Sequence, residues 1–383
     1  MPDIALMTKA WRSGAAWVAQ MTAQAIAEQG ATIAFVAPLA EPLSREPSHP
    51  NLIRVTTPRE LIGQHGKLKR VVASLLRIGG GLAAICKLRF STRNFIFSIP
   101  EPLLFTLPLF ALLRVTGAQV IFIVHDAQPH AWALGAGMRY VERGAHALSY
   151  RLASTIVALT PTVRQALVDD FAIPADKIVV IPHGPFSIGD VGPIPGSGRL
   201  LIFGSLRRNK SVLEAIEGVI SARRQGRDVV LVLAGEPLSQ EPGYWDQCLA
   251  AIARDPAGFD VRAGFFPDEA LPELVAGVDA FLLAYQNFNS QSGVGVLAAL
   301  SGRPVIGTGS GGLSELFERG LAGEIIDDTV TSESIAAGIA AFYAHDTAVW
   351  RERASRGAAK VAGTLRWDDI ADQYIRVCRD AAA

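Results

Sequence analysis

With 383 residues, half of them apolar and 19% charged, the chain can bury the cores of two ordinary domains, which excludes a disordered or low-complexity protein. Its 36 basic and 36 acidic residues cancel, so no nucleic-acid partner is expected. Cys86, Cys248 and Cys378 are odd in number and lack metal or disulfide spacing, which fits a reducing compartment.

The charge is unevenly placed. Arg54, Arg59, Lys67, Lys69, Arg70, Arg77, Lys87, Arg89 and Arg93 face few acids in the first third, a bias suited to an anionic partner or membrane surface. Ile4 to Met7 is too short an apolar run for a signal peptide. The longest apolar segment, Leu103 to Leu113, is interrupted by Pro108 and falls short of the roughly 20 residues that cross a bilayer, so a core helix is expected there.

In chain order, Ile4 to Met7 reads as a strand and Trp11 to Gly14 as its exit loop. The helix that follows carries Val18, Met21, Ala25 and Ile26 on one face and stops at Gly30, before an apolar strand from Thr32 to Ala37. Strand, loop, helix and strand in that order are the unit of a parallel α/β sheet. Ser13-Gly14 is half a dinucleotide fingerprint, and without the full Gly-x-Gly-x-x-Gly an NAD site is disfavoured.

From Gly66 to Phe90, cations mix with Val71, Val72, Leu75, Leu76 and Ile78. Gly79-Gly80-Gly81 then precede a second basic apolar segment, Leu82 to Leu88. The stretch reads either as a solvated surface helix or as one lying on an anionic bilayer. Strands are expected at Phe95 to Ser98 and Val120 to Val124. The second runs into His125-Asp126-Ala127-Gln128-Pro129-His130, so two ionisable groups stand at the carboxyl end of a central strand, where open sheets hold chemistry. His125 could instead be a packing residue. Thr155 to Leu159 and Ile178 to Ile181 continue the pattern, and Pro185 to Arg199, rich in Gly and Pro, reads as a linker.

The second half repeats the alternation. Strand Leu200 to Phe203 is followed by Gly204-Ser205-Leu206-Arg207-Arg208-Asn209-Lys210 and a helix from Val212 to Arg224; three cations in four residues beside a helix start would neutralise a diphosphate. Strands and helices alternate through Val229 to Ala234, Tyr244 to Ala253, Asp260 to Ala263 and Glu269 to Val275. Apolar Ala280 to Ala284 then breaks into the polar loop Tyr285 to Gly293, which opens into the apolar run Val294 to Leu300. Such a loop leaves helix N–H groups unpaired, and small side chains at Ser290, Ser292 and Gly293 let an anion approach them. The same order recurs with strand Pro304 to Ile306, the glycine-rich Gly307 to Gly312 and a helix start at Leu313-Ser314-Glu315. Taken alone, these remain readable as ordinary βα turns. Trp367 to Cys378 is an amphipathic tail helix.

Together these motifs resemble the GT-B glycosyltransferases, most closely the family-four type. Arg207 and Lys210 fall in a Gly-x-Leu-Arg-x-x-Lys variant. Ser290-Gln291-Ser292-Gly293, Gly302-Arg303-Pro304-Val305-Ile306 and Gly311-Gly312-Leu313-Ser314-Glu315 match the same variant in order. Arg262 to Phe266 resembles the segment lining the nucleobase pocket; the first half matches at Ser13-Gly14, His125-Asp126 and Ile181-Pro182-His183-Gly184. The resemblance implies two Rossmann-like, doubly wound parallel-sheet domains facing across a cleft. They would be an acceptor-binding domain at 1–184, a linker at 185–199, a donor-binding domain at 200–365 and a terminal helix at 366–383 returning to the first domain.

It further implies transfer of a hexosyl or glycuronosyl group from a UDP- or GDP-sugar to a saccharide, lipid-linked, in exopolysaccharide or cell-surface glycan synthesis. The donor would be held by Gly14, Gly204, Arg207, Lys210, Arg262, Ser290, Gln291, Ser292, Gly293 and Glu315. Asp126 is the candidate base and His125 its alternative or a sugar-orienting group. The sequence has no Asp-x-Asp, so neither metal nor cofactor is expected. A cytoplasmic protein is implied, peripheral on the inner face of the membrane through the basic 67–93 segment. One departure stands out: where the family carries paired glutamates, this chain has Asn289 and Leu297. Leu297 offers no acceptor for ribose hydroxyls. A catalytically silent nucleotide-sugar-binding subunit and a sugar-nucleotide epimerase of the same fold are the alternatives.

Overall fold

A computed structural model of the chain describes residues 1–11, 14–39, 47–61, 66–98, 106–128, 136–186, 188–238, 241 and 243–380. Ser13, Pro129 and His130, which figure in the sequence reading, lie outside them, as does the start of the Leu103 segment. Two units divide the chain: Met1–Gly184 with Leu365–Ala383, and Pro185–Thr364.

The first unit begins with β1 (Ile4–Thr8), α1 (Gly14–Glu28), β2 (Ile33–Pro38), β3 (Leu52–Thr57) and α2 (Lys67–Leu88). It continues through β4 (Asn94–Ser98), α3 (Leu107–Val115), β5 (Gln119–Val124), α4 (Arg139–Leu152), β6 (Thr155–Ala158), α5 (Pro161–Phe171) and β7 (Ile178–Val180). Among the described residues its strands form one parallel sheet in the order β3-β2-β1-β4-β5-β6-β7. β1 and β2 are buried along their whole length because helices cover both faces, which is why they read as unbroken apolar runs.

Edge strand β3 escapes that reading. Only Thr57 of its six residues is buried, and Arg54 interrupts it. The Arg54 guanidinium reaches across to the carbonyls of Phe35, Ala37 and Pro38 at 3.3, 3.2 and 2.6 Å and lies over the Trp11 and Phe35 rings. A charged residue in this strand thus serves as a clamp on β2.

The structure also joins what the sequence divides. α2 runs unbroken through Gly79-Gly80-Gly81, making one helix of 22 residues. A small residue suits Gly80, where the helix backs onto the exit of β3 and a Cβ would stand 3.1 Å from Pro58 Cδ, whereas a Cβ at Gly79 would meet nothing within 4 Å. Its stretch Leu68–Leu88, rather than the Leu103 segment, is long and apolar enough to cross a membrane by length and composition.

The second unit contains β8 (Arg199–Phe203), α6 (Val212–Arg224), β9 (Val230–Gly235), α7 (Tyr244–Ile252), β10 (Phe259–Ala263), α8 (Leu271–Ala276) and β11 (Ala280–Leu283). Then follow α9 (Gly293–Leu300), β12 (Val305–Thr308), α10 (Gly311–Arg319), β13 (Gly323–Ile326), α11 (Ser332–Phe342) and α12 (Thr347–Thr364). Its described strands form a parallel sheet in the order β10-β9-β8-β11-β12-β13. The last helix, α13 (Trp367–Asp380), belongs to the first unit, where Ile370, Ala371, Tyr374, Ile375 and Cys378 enter the core beside α1.

The segment read as a linker is counted with the second unit and is held by two buried charges. Arg303, 1% exposed, donates to the carbonyls of Val191, Gly192 and Pro193 and to those of Val275, Ala276, Val278 and Ser301. Asp279 accepts from the amides of Ser197 and Gly198 at 2.8 and 2.7 Å and from the Tyr343 hydroxyl at 3.1 Å.

Candidate functional site

Because every pairing in the second sheet is parallel, the loops after β8, β9, β10, β11 and β12 leave at one edge. β8 has β9 on one side and β11 on the other, so the chain winds away in opposite directions from this point. A crevice at such a reversal is where open α/β sheets bind ligands. The two loops that meet there are Gly204 to Ser211 and Ala284 to Ser292, the segments carrying the cations and the small polar residues.

Hydrogen bonds lock these loops together. The Gln286 amide donates to the Asn209 carbonyl at 2.9 Å, and its Nε2 donates to Ser211 Oγ at 2.9 Å. Lys210 is only 8% exposed; its Nζ donates to the Phe203 carbonyl at 3.1 Å and stands 5.8 Å from the centre of the Tyr285 ring. Burial first, and the charge of Arg207 second, push its pKa down to about 7. The Nε of Arg207 is buried and finds no hydrogen-bond partner among the described residues. Arg208, the third cation, turns outward over the Tyr244 ring at 4.5 Å, with its amide on Glu241.

Opposite these cations, α9 begins. Ser292 caps it, its Oγ accepting from Gly295 N at 3.0 Å, which leaves the N–H groups of Gly293 and Val294 with no acceptor inside the helix. The Ser292 hydroxyl is therefore spent on the cap and on Tyr285 Oη, 3.5 Å away, rather than held out for a ligand. Ser290 and Gln291 are likewise buried, at 7% and 8%. α10 presses directly on this loop: Gly312 N donates to the Phe288 carbonyl, and a Cβ at Gly312 would fall 1.7 Å from the Ser290 carbonyl oxygen. Only glycine permits that approach.

Gly204 takes a left-handed φ of +92°, turning the chain out of β8 beside Lys210. Glu315 is half-buried on α10. Arg262 is the exception. It sits on edge strand β10, two strands from β8, and its guanidinium is committed to Asp260, which also binds Arg199. The structure therefore does not bring it to the cation cluster. Phe266, from the same segment, packs edge-on to Phe203, and Phe265 is 61% exposed. Gly14, assigned to the donor, opens α1 in the other unit.

Sequence reasoning passes over Tyr285 and Phe186. Tyr285 lies 4% exposed under the loop, its hydroxyl pushed up to about 12 by burial against the opposing pulls of Ser292 and Arg207. The Phe186 ring covers Gly293, where a Cβ would meet it at 3.0 Å. An aromatic in a loop carries no pattern that would single it out.

In the first unit, His125 follows β5 and its Nε2 lies 3.3 Å from Ser98 Oγ at the end of β4. Burial lowers its pKa to about 4 against the opposing charge of Asp126. His183, 4% exposed, donates from Nδ1 to the Gly184 carbonyl at 2.9 Å and is held at about 4, again by burial first, with nearby His125 adding to the shift. Tyr150 Oη donates to the Ala127 carbonyl at 2.9 Å, under the His125-Asp126 turn. Ser98 is thus added to the His125-Asp126 pair, and His125 acts in turn on His183, from a motif that the sequence also picks out.

Residues 12–184 match the family described as Glycosyltransferase Family 4, and residues 197–345 that described as Glycosyl transferases group 1. A mannosylfructose-phosphate synthase of Agrobacterium fabrum is 25% identical over 259 residues, 62% of this chain and 55% of its own length. The chain thus matches little more than half of that relative. Sucrose-phosphate synthase of Thermosynechococcus elongatus superposes with a TM-score of 0.76 at 16% identity over 100% of both chains. Anabaena HepE in complex with UDP and glucose gives 0.73 at 18% identity, over 98% of this chain and 99% of its own. These likenesses establish the fold, two parallel α/β sheets of the GT-B type.

Proposed function

Because the chain belongs to the GT-B glycosyltransferases of family 4, we propose that it transfers a sugar from a nucleotide diphosphate sugar to a saccharide hydroxyl. The sugar is a hexosyl or glycuronosyl group, the acceptor lipid-linked, and the product a cell-surface or extracellular glycan. The observation that carries this reading is the meeting of Arg207, buried Lys210 and the first turn of α9 at one strand reversal.

Departure of a nucleoside diphosphate builds negative charge on its phosphates. Lys210 and Arg207 supply positive charge and the amides of Gly293 and Val294 supply donors, all fixed before the reaction begins. The buried, unpartnered Nε of Arg207 is an N–H that a phosphate oxygen would satisfy. With that much cationic character the transfer proceeds without a divalent metal. Phe265 and Phe266 offer the nucleobase an apolar wall.

At the acceptor, His125 is neutral near pH 7, and with a pKa of about 4 it is a poor proton acceptor, so its role is to hydrogen-bond and orient a hydroxyl. The anomeric configuration of the product assigns the base: Asp126 for inversion, a leaving phosphate oxygen for retention. Three cysteines free of disulfides support a cytoplasmic setting.

A panel of UDP-, GDP- and ADP-sugars, starting from UDP-glucose because HepE is seen with UDP and glucose, tests the proposal. Transfer or slow hydrolysis from one donor is expected. Donor-dependent thermal stabilisation without turnover would mark a binding subunit instead, and isomerised donor without acceptor an epimerase.

A further inference from the structure

α2 carries apolar side chains on two faces. One is used: Ile85 is fully buried, and Ile78, Ala84 and Leu88 pack beside it on the core of the first unit. The other is bare. Leu68, Val71, Val72, Leu75, Leu76 and Leu82 are 79%, 54%, 46%, 53%, 60% and 37% exposed. Their spacing of three, four and seven places them on one stripe along the helix, opposite the buried face. Exposed leucines scattered singly need no explanation, but a continuous stripe on a single helix does.

The charges around the stripe are of one sign. No Asp or Glu occurs between Glu60 and Glu101, while Lys69, Arg70, Arg77, Lys87, Arg89 and Arg93 do. Lys69 and Lys87 both fall about 100° round the helix from Leu68, on one margin of the stripe. At the C-terminal end Phe90 is 94% exposed beside Arg89, which holds the main chain of Thr116 next to Val115, itself 87% exposed. An apolar strip bordered by cations and free of acids complements a surface that is apolar inside and anionic outside.

We propose that α2 docks the protein on an anionic lipid bilayer, lying in the plane of the interface with the Leu68-to-Leu82 stripe among the acyl chains and Lys69 and Lys87 at the headgroups. Length and mean hydropathy alone would also allow Leu68–Leu88 to span. Spanning would tear Ile78, Ile85 and Leu88 from the core and part Arg77 from Glu60, 3.5 Å away, so the helix lies on the membrane instead. A second copy of the chain is the poorer occupant, because two such stripes would face each other with cations on both and no acid to pair them. The inference deepens the transferase reading, and rests on it, only in saying where a lipid-linked acceptor is met.

The full-length protein is sedimented with vesicles of phosphatidylcholine, with and without phosphatidylglycerol. Binding is expected to the anionic vesicles, to weaken about tenfold or more in K69E/K87E and with added salt, and to vanish in L75E/L76E. Both variants change exposed side chains, and an unchanged thermal transition of each shows that it folds. Failure of the parent to bind, or undiminished binding by L75E/L76E, overturns the proposal. So does a parent dimer in light scattering that L75E/L76E dissolves while no vesicle binds, which would make the stripe a subunit interface. Nucleotide-sugar stabilisation is read separately: its loss sinks the transferase reading, whereas loss of vesicle binding alone sinks only this one.

Discussion

Gln286 and Ser211, 75 positions apart, are joined by a hydrogen bond of 2.9 Å from Nε2 to Oγ, and the Gln286 amide adds a second to Asn209. Through this pair the loop bearing Lys210 and the loop that leads into α9 keep a fixed separation. Preorganised donors act on charge only if their spacing survives without the ligand. Replacement Gln286→Ala removes the side-chain bond while keeping the amide. Its expected cost is about 1 kcal/mol, seen as a roughly fivefold weaker nucleotide-sugar affinity in calorimetry with little change in melting temperature. An unaltered affinity would mean that the bond has no part in positioning the loops.

Lys210 provides a pH signature. Its folded pKa is lowered from 10.5 to about 7, so around neutrality the free protein carries a partial charge there. A bound diphosphate favours the ammonium and raises that pKa. Affinity is therefore flat below pH 7 and falls as pH rises above it, with net proton uptake on binding. Calorimetry in buffers of different ionisation enthalpy reads the proton directly; binding with no uptake at pH 8 would contradict the assignment.

The same shift separates stability from turnover. Between pH 10.5 and about 7 the unfolded chain holds a proton that the folded Lys210 does not, so this residue subtracts stability as pH falls through that window, and the full cost stands below it. Lys210→Met is expected to fold at least as well as the parent at neutral pH while turnover drops by about 100-fold or more. Parent-like turnover would remove Lys210 from the diphosphate.

His183 sets an acid limit. Its pKa is about 4 in the fold against 6.5 unfolded, so the unfolded state binds the extra proton between those values. Stability is complete above pH 6.5 and declines as pH falls toward 4, by roughly 3 kcal/mol at most. His183→Asn, which retains a donor for the Gly184 carbonyl, should flatten part of that decline in denaturant titrations at pH 7 and pH 4.5. An equal decline in the variant would place the acid sensitivity elsewhere.

Arg303 holds seven backbone carbonyls together, three of them in residues 191–193. Arg303→Met would remove a donor from each of these carbonyls and leave buried acceptors short of a partner, at a cost of about 3 kcal/mol or more. Lysine should not rescue it, since a point charge cannot present the same fork of donors. The midpoint of urea unfolding measures both, and a parent-like midpoint in the methionine variant would refute the clamp.

Much of this fold is legible in the amino-acid order because parallel strands covered on both faces must be apolar throughout, as at Ile4 to Met7 or Ala280 to Ala284. β3 escapes because an edge strand has no such obligation and Arg54 could sit in it. The run Gly79 to Gly81 does not interrupt α2: glycine weakens a lone helix, but Gly80 allows close packing on Pro58, and packing prevails.

Residue types and their order were sufficient to mark the loops after β8 and before α9 as the candidate anion site. The motif they spell already sets Arg207 and Lys210 apart from Arg208. What residue order could not give is how each of the three cations is placed. Only the folded chain sends Lys210 inward beneath Tyr285, turns Arg208 out onto Tyr244 and leaves Arg207 with a buried, unsatisfied N–H. The reason is that the cost and worth of a charge depend on how far water is excluded from it, and the groups that exclude water from Lys210 come from Tyr285, a part of the chain that local spacing does not connect to it.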